Sequence, residues 1–589
     1  MPGGLLQLVA IGAQNELING NPSMTHFRAV YRRHTNFAME AIRMTFSSSN
    51  LEFAQTTKRT ISCRIDRYAQ LLHDTYFVMT LPDIWSPLSY LGIAAPPTGY
   101  DSRSNSIGYE FKWIENIGYN LIDSVEITAN GQVLQRLTGE WLKFYSYLTH
   151  DPNKRKIVDE MIGNVPELYD PANAYDRINQ YPHAITPLNF PGGIPNTKTP
   201  EPSIRSRQLV IPLHFWFCEN PGMALPLVSM QNSDIAINIT FRPLNELYTV
   251  VDVNSSSPTY GQRIRPSTND LAIGRFLSPP TLTGTQSNMS LTTFFPDPYL
   301  EGNFIYLTEM EMAQLATADQ TFLVKTVTFV NNPGQYGGNS DIEIPFFNLV
   351  TRLVWSAQRS DKILTNDWDN YTNWDDPHRA PFTTNGNSND IYSSAIYSTQ
   401  TQTYLYSSGQ LQITSVYPRD ALTQGQLLLD GKERFSVKPT SYFSLLQMYK
   451  HTTGNAPEIP GVYMYSFALN NDLYQPSGAI NGSLFNKVAL RLTLQQPLPT
   501  AAGIATQETV CILKSTVFSP NPVIVTAAQL ALRNPDGSLL YPPDTIVTVV
   551  RNTNGDNVIF AYTYNLGVYV ESINFLRIVS GLANFVFAN

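Results

Sequence analysis

Apolar and polar residues alternate with period two over many short stretches of the chain. In Ser124–Thr128, Val125 and Ile127 fall on one side and Glu126 and Thr128 on the other, and the run ends at Asn130-Gly131 before the chain turns back through Val133 and Leu134. Such alternation marks a half-buried strand, and Asn-Gly suits the two positive-φ positions of a type I′ hairpin. The same punctuation follows Leu427–Leu429 at Asp430-Gly431, and separates Thr545–Val550 from Val558–Tyr562 at Asn554-Gly555. Many short strands divided by turn residues predict a sandwich or barrel rather than βαβ units.

Helical signals are few. Asp151-Pro152 reads as an N-cap followed by proline at the first helical position, with Ile157, Val158, Met161 and Ile162 as an apolar stripe and Gly163 as the stop. Thr308 and Glu311 have the spacing of a capping box, and 440–451 predicts a third helix. All three read as connectors.

The alternating strings also suggest an internal duplication. Asn120-Leu121-Ile122 with Val125, Ile127 and Ala129 is echoed by Asn348-Leu349-Val350 with Leu353, Trp355 and Ala357, and Ile235–Phe241 is echoed by Val488–Leu494. Phe215 and Phe217 take the places of Tyr465 and Phe467. On this reading the second copy opens the hairpin at Asn130-Gly131 and inserts chain from Gln358 to Asp430, while the first copy carries extra chain from Asp151 to Gln208. A stretch rich in Pro, Ser, Thr and Asn, Asn254–Pro298, separates the halves. Long insertions belong on the surface, where closing a longer loop adds little entropic cost.

Composition narrows the function. Of 589 residues 42% are hydrophobic and only 15% charged, against about 25% charged in an average domain, so much surface is uncharged or covered by partners. The net charge of −8 argues against a whole-molecule footprint for nucleic acid. Three scattered cysteines, Cys63, Cys218 and Cys511, predict neither a disulfide framework nor a cysteine zinc site, and fit a reducing compartment. Met1–Ala13 lacks the basic flank of a signal peptide, and no run of about 18 apolar residues predicts a membrane span.

The segment Val30-Tyr31-Arg32-Arg33-His34-Thr35-Asn36-Phe37-Ala38, together with Gly20-Asn21-Pro22, Gly139-Glu140-Trp141-Leu142, Leu225-Pro226-Leu227, Tyr465–Leu469, Gln475-Pro476-Ser477-Gly478 and Asn574–Gly581, resembles the major capsid proteins of nucleocytoplasmic large DNA viruses. The matches run in order from Gly3 to the C-terminus, and only the two insertions lack a counterpart. The resemblance implies an all-β fold of two tandem eight-stranded jelly rolls, a double jelly roll, with short connector helices and long surface loop insertions. It implies a structural protein of the virion, without catalysis or cofactor, that forms homotrimers of pseudo-hexagonal outline tiling an icosahedral shell. Assembly would take place in the host cytoplasm or viral factory. The implied partners are neighbouring capsomers, minor capsid and penton proteins and the inner viral membrane, with no sequence-specific nucleic acid binding. The chain then divides into an N-terminal arm over 1–50, a first jelly roll with its linker over 51–300, and a second over 301–589 whose large insertion lies near 358–430.

Two clusters stand out as candidate sites. Arg28, Arg32, Arg33 and His34, beside Phe27, Tyr31 and Phe37, are expected to serve assembly at the inner face, since arginine makes bidentate contacts with carboxylate and phosphate. The competing reading is an intrachain clamp onto Glu40. Trp368, Trp374, Asp375 and Asp376 lie in an acidic, aromatic stretch, Asn366–His378, expected to be an exposed loop. A sugar or calcium site there lacks EF-hand spacing, and adjacent aspartates in an extended chain face opposite ways and cannot flank a glycoside. No His-Glu-x-x-His, Gly-x-Ser-x-Gly or P-loop is present. Cys218 reads as a small buried hydrophobe. The rival function is a β-sandwich glycan-binding protein or glycosidase, because jelly rolls serve lectins and enzymes as well.

Overall fold

The computed structural model describes residues 20–587 apart from 24–26, 30, 32, 48–50, 87–108, 178–180, 185–200, 253–262, 265, 267–270, 280–292, 365, 375–376, 378–396, 399–402, 405–418, 455–458, 474, 496–506, 514–523, 534–538, 542–545, 553–557 and 560–562. Sixteen strands, numbered in chain order, build two sandwiches. In the first, one sheet runs β1 (Phe37–Met44), β8 (Tyr299–Leu307), β3 (Leu71–Leu81), β6 (Arg207–Pro212). The facing sheet runs β2 (Arg59–Arg64), β7 (Ile235–Phe241), β4 (Ile122–Ala129), β5 (Gln132–Thr138). In the second sandwich the sheets run β9 (Gln320–Gln335), β16 (Tyr564–Val579), β11 (Leu349–Arg359), β14 (Val462–Ser466), and β10 (Gly338–Ile344), β15 (Val488–Leu494), β12 (Leu422–Leu429), β13 (Lys432–Glu433).

Adding eight to every strand number of the first sandwich gives the strand order of the second. All these pairings are antiparallel, and the chain crosses repeatedly between facing sheets. That is the jelly-roll path, carried twice. Alternation supplies the cores. Along β7 the isoleucines Ile235, Ile237 and Ile239 are buried while Ala236, Asn238 and Thr240 are not. The hairpin residues Asn130 and Gly131, at φ 50° and 79°, join β4 to β5, and Asp430 and Gly431, at φ 49° and 77°, join β12 to β13.

The strand orders correct part of the sequence reading. Ile235–Phe241 and Val488–Leu494 are equivalent strands, β7 and β15, and the two hairpins are equivalent as well. The echo of Asn120–Ala129 in Asn348–Ala357 pairs β4 with β11, whose true counterpart is β3. Half-buried strands share one alternating pattern, so string similarity alone cannot tell neighbouring strands apart. Hence the insertion over 358–430 does not open the hairpin: the segment between β11 and β12 corresponds to the one between β3 and β4. Asn254–Pro298 does not separate the halves either, since it precedes β8, which pairs with β1 and β3 of the first sandwich. The chain passes to the second sandwich only after Leu307, beyond the boundary read at 300, and Phe37–Met44 of the expected arm is the first strand.

The longer helices connect these strands. The first, α1 (Gly139–Thr149), is capped by Thr138, whose hydroxyl accepts from Trp141 N at 3.1 Å. In α2 (Pro152–Ile162), Asp151 Oδ1 accepts from Asn153 N and Lys154 N, both at 2.9 Å, and Gly163 ends the helix at φ 77°, as expected. The connector α3 (Glu309–Thr317) forms without the expected capping-box bonds: Thr308 caps no backbone N–H and its hydroxyl lies 3.4 Å from Glu311 Oε2. The last, α4, runs over 440–451 with a π-helical turn at Tyr442–Leu446 leading into Gln447–His451.

Candidate functional site

The candidate residues fall in two places. Arg28, Arg33 and His34 lie on the exposed segment that enters β1, where the Phe27 ring is fully exposed and Tyr31 nearly so. His34 Nδ1 meets Thr35 O at 2.9 Å, and its ring stands edge-on to Phe37. Among the described residues neither Arg28 nor Arg33 forms an ion pair, and Glu40 instead accepts from the Tyr306 hydroxyl at 3.2 Å. The clamp onto Glu40 therefore finds no support from these two arginines. Arg32 lies outside the described residues.

Asn366–Trp374 is a strap wedged between the sandwiches, not an exposed loop. Trp368 is half-buried, donating its indole N–H to Glu246 O at 2.9 Å with the Arg242 guanidinium 4.3 Å above its ring. Asn366 Nδ2 donates to Asn245 O at 2.7 Å and Tyr248 O at 2.8 Å. Trp374 is also half-buried, with Arg419 5.6 Å over its ring. The physical reason is that these residues satisfy backbone carbonyls of the other sandwich, which would otherwise be buried without donors. Asp375 and Asp376 lie outside the described residues.

Between the sandwiches runs a polar seam that sequence reading missed. Asp369 on the strap takes Asn116 Nδ2 at 2.7 Å, Asn120 Nδ2 at 3.0 Å and the buried Lys143 ammonium. Glu140 of α1 accepts from the Tyr569 hydroxyl of β16 at 2.6 Å. Deeper in β11, the fully buried Arg352 guanidinium bonds Glu571 at 2.8 Å and Asp472 at 3.3 Å, and Lys325 lies 3.6 Å from Glu219. Charged residues inside largely apolar strands, Arg352 before Leu353-Val354-Trp355 and Glu571 after Val568-Tyr569-Val570, were the available signal. Buried charges are rarely tolerated without partners, so each announced a contact.

Beside the seam is a cleft of about 260 Å³ lined by Glu140, Arg242, Ser356, Trp368 and Tyr569 among others. Among the described residues no group of three or more His, Cys, Asp or Glu capable of holding a metal occurs. Burial pushes the Cys218 thiol up to about 12 and the Cys63 thiol up to about 11, so both are poor nucleophiles at neutral pH. Among the described residues no helix is long and apolar enough to cross a membrane.

Residues 25–274 match the family model described as the major capsid protein N-terminus, and residues 311–527 match the one for the large eukaryotic DNA virus major capsid protein. The major capsid protein of Phaeocystis pouchetii virus is 27% identical over 554 residues, spanning 86% of this chain and 95% of the relative. That of Paramecium bursaria Chlorella virus 1 is 24% identical over 596 residues, with all of both chains covered. The fold is similar to a chain in a quasi-atomic model of the PBCV-1 virus capsid, with a TM-score of 0.56 at 20% identity, over 96% of this chain and 100% of that chain.

Proposed function

Since the chain belongs to the major capsid protein family of large eukaryotic DNA viruses and builds the icosahedral shell of such a virion, we propose that its building unit is a homotrimer of pseudo-hexagonal outline. The protein is structural, not an enzyme, and its place is the capsid shell of the virion. One observation carries the trimer: the chain holds two sandwiches of identical strand order side by side. Three such chains place six similar sandwiches around one axis, a shape that tiles a surface by repeated heterologous contacts. The low charge supports it, because surfaces that become interface cores are depleted in charge.

The same reading assigns Arg28, Arg32, Arg33 and His34, with exposed Phe27 and Tyr31, to contacts made on assembly. Guanidinium groups beside aromatic rings suit carboxylates of neighbouring capsomers or of minor capsid and penton proteins, and phosphates of an inner membrane. The trimer is tested by native mass at low micromolar concentration. Three times the 66.0 kDa of one chain, about 198 kDa, is expected; a folded single chain would overturn it.

A further inference from the structure

Within the seam, α1 places a buried amine against a buried carboxamide, and the second sandwich supplies a carboxylate that touches both. Lys143 of α1 is 1% exposed, and Asn120, on the helical turn Ile117–Leu121 that leads into β4, is 2% exposed. The Lys143 ammonium donates to Asn120 Oδ1 at 3.3 Å. Asp369 Oδ1 accepts from Asn120 Nδ2 at 3.0 Å and from the same ammonium. Each partner is fixed from a second side as well: Asn116 Nδ2 donates to Asp369 Oδ2 at 2.7 Å, and Asn120 Nδ2 donates to Glu115 O at 2.8 Å. Aromatic rings close over the amine, whose nitrogen lies 5.1 Å from the centre of the Tyr371 ring and 5.9 Å from that of Phe144.

An ion pair needs only the lysine and the aspartate. Here a carboxamide stands beside the amine, and its carbon is an electrophile. Holding nucleophile and electrophile in contact turns a bimolecular reaction into a unimolecular one, with reacting atoms about 3–3.5 Å apart the productive range. A carboxylate within hydrogen-bond reach of both can carry protons from one to the other.

We propose that Lys143 and Asn120 join through an intramolecular isopeptide bond, with Asp369 as the proton carrier. Asp369 takes a proton from the ammonium, and the freed lone pair of Nζ adds to Asn120 Cγ. The Nζ–Cγ bond forms and the Cγ–Nδ2 bond breaks. Two protons leave Nζ, and by way of Asp369 both reach Nδ2, which departs as ammonium. Asp369 ends as it began, and no oxidant, reductant or cofactor is consumed. The position of the acid sets the order of events. Amine and amide belong to the first sandwich, 23 positions apart, whereas Asp369 comes from the strap, 226 positions beyond Lys143. The bond therefore forms only once the strap has docked between the sandwiches. It then ties the entry of β4 to α1 and, like any cross-link, restricts the unfolded chain.

The test is mass spectrometry of the folded full-length chain, held for several days at neutral pH and then denatured and cut with trypsin. The wild-type chain is expected to be one ammonia lighter than its sequence mass. Because Asn130-Gly131 can also lose ammonia by closing a succinimide, the peptides decide. Trypsin cuts after Arg136, between the two residues, so the bond is expected to leave 113–136 and 137–154 as one branched species, uncut at Lys143. Lys143→Met, which removes the amine, and Asp369→Ala, which removes the proton carrier, are each expected to give separate peptides at the full sequence mass, with near-UV circular dichroism reporting the fold. Wild-type protein with 113–136 and 137–143 separate overturns the bond, whether or not the variants fold. A branched species from Asp369→Ala overturns the role of Asp369. A chain one water lighter, with Lys143 linked to Asp369, overturns Asn120 as the electrophile.

Discussion

Tyr569 donates its hydroxyl proton to Glu140 Oε2 at 2.6 Å, joining residues 429 positions apart on different sandwiches. The Tyr569 hydroxyl oxygen also lies 3.0 Å from Thr138 Oγ1, the cap of α1, so one phenol ties the start of that helix to β16. Burial first, and the nearby Glu140 carboxylate next, hold the hydroxyl well above the ordinary tyrosine range, and it stays a donor at physiological pH. Tyr569→Phe keeps the ring against Trp141 and removes a charge-assisted bond. A loss of about 1.5–3 kcal/mol is expected, read from the urea midpoint.

Arg352 anchors the seam face of the β9–β16–β11 sheet by charge, 5.7 Å from the Trp141 ring of α1. Its guanidinium is fully buried between Glu571 and Asp472, themselves almost fully buried. Arg352→Met keeps much of the volume but strands two carboxylates, and removing one partner of a buried ion pair costs about 3–5 kcal/mol. Adding Glu571→Gln removes one stranded charge and is expected to recover part of that loss in the same urea titration.

The buried histidines set an acid limit. His150 and His214 lie with ring centroids 5.4 Å apart under α1, His150 Nδ1 3.0 Å from Ser146 Oγ and His214 Nε2 3.2 Å from the Tyr119 hydroxyl. Burial first, then Lys154 and Arg155, lower His150 to about 4; burial first, then His150, lowers His214 well below 6.5; burial lowers His183 to about 4. A histidine depressed in the fold binds its proton first in the unfolded chain. Stability is therefore full above the unfolded value near 6.5 and declines as pH falls from there toward 4. Glu110, 3.6 Å from His183 and raised to about 7 by burial, gains stability as pH falls over part of that range, so the check is differential: between pH 7.5 and 5, His214→Phe is expected to gain urea midpoint relative to wild type.

Gly454 marks a close approach across the seam. Its amide donates to Leu148 O at 2.8 Å, and a β-carbon there would sit 2.1 Å from Tyr147 O and 2.4 Å from Leu148 O. No side chain can rotate away, because the obstacles are backbone atoms. Gly454→Ala is expected to part the segment after α4 from the end of α1, raising hydrogen exchange at the Gly454 amide and lowering stability by about 1–3 kcal/mol. Gly131→Ala, with open space around the position and only its φ of 79° to strain, is expected to cost about 1 kcal/mol.

The legible part of this chain is what local chemistry dictates. Asn130-Gly131, Asp430-Gly431 and Asp151-Pro152 announced two hairpins and a capped helix because positive φ and an orphan N–H restrict residue type wherever they occur. Strand identity was less legible, since β4 and β11 share an alternation that any half-buried strand shows. The seam was least legible. Asp369 and Lys143 are 226 positions apart, and nothing local distinguishes a strap that satisfies another sandwich from an acidic surface loop. Tryptophan offered the one hint, for Trp368 and Trp374 in so short a segment imply apolar surface in need of cover.

The exposed arm separates assembly from folding. Arg28 and Arg33 are exposed, and no ion pair holds either among the described residues, so replacing them removes no packing. Arg28→Ala and Arg33→Ala together are expected to change stability by less than about 0.5 kcal/mol, as surface substitutions usually do, and Arg32→Ala is added to them for the assembly readout. The same protein is expected to keep the three-chain mass, since Arg28 and Arg33 precede β1 and lie outside both sandwiches. Closed particles should fall at least tenfold in an expression system that assembles the wild type, counted by negative-stain microscopy against total capsid protein. Normal particle yield from the triple variant would remove the arm from shell assembly, and a loss of trimers would place its arginines within the building unit instead.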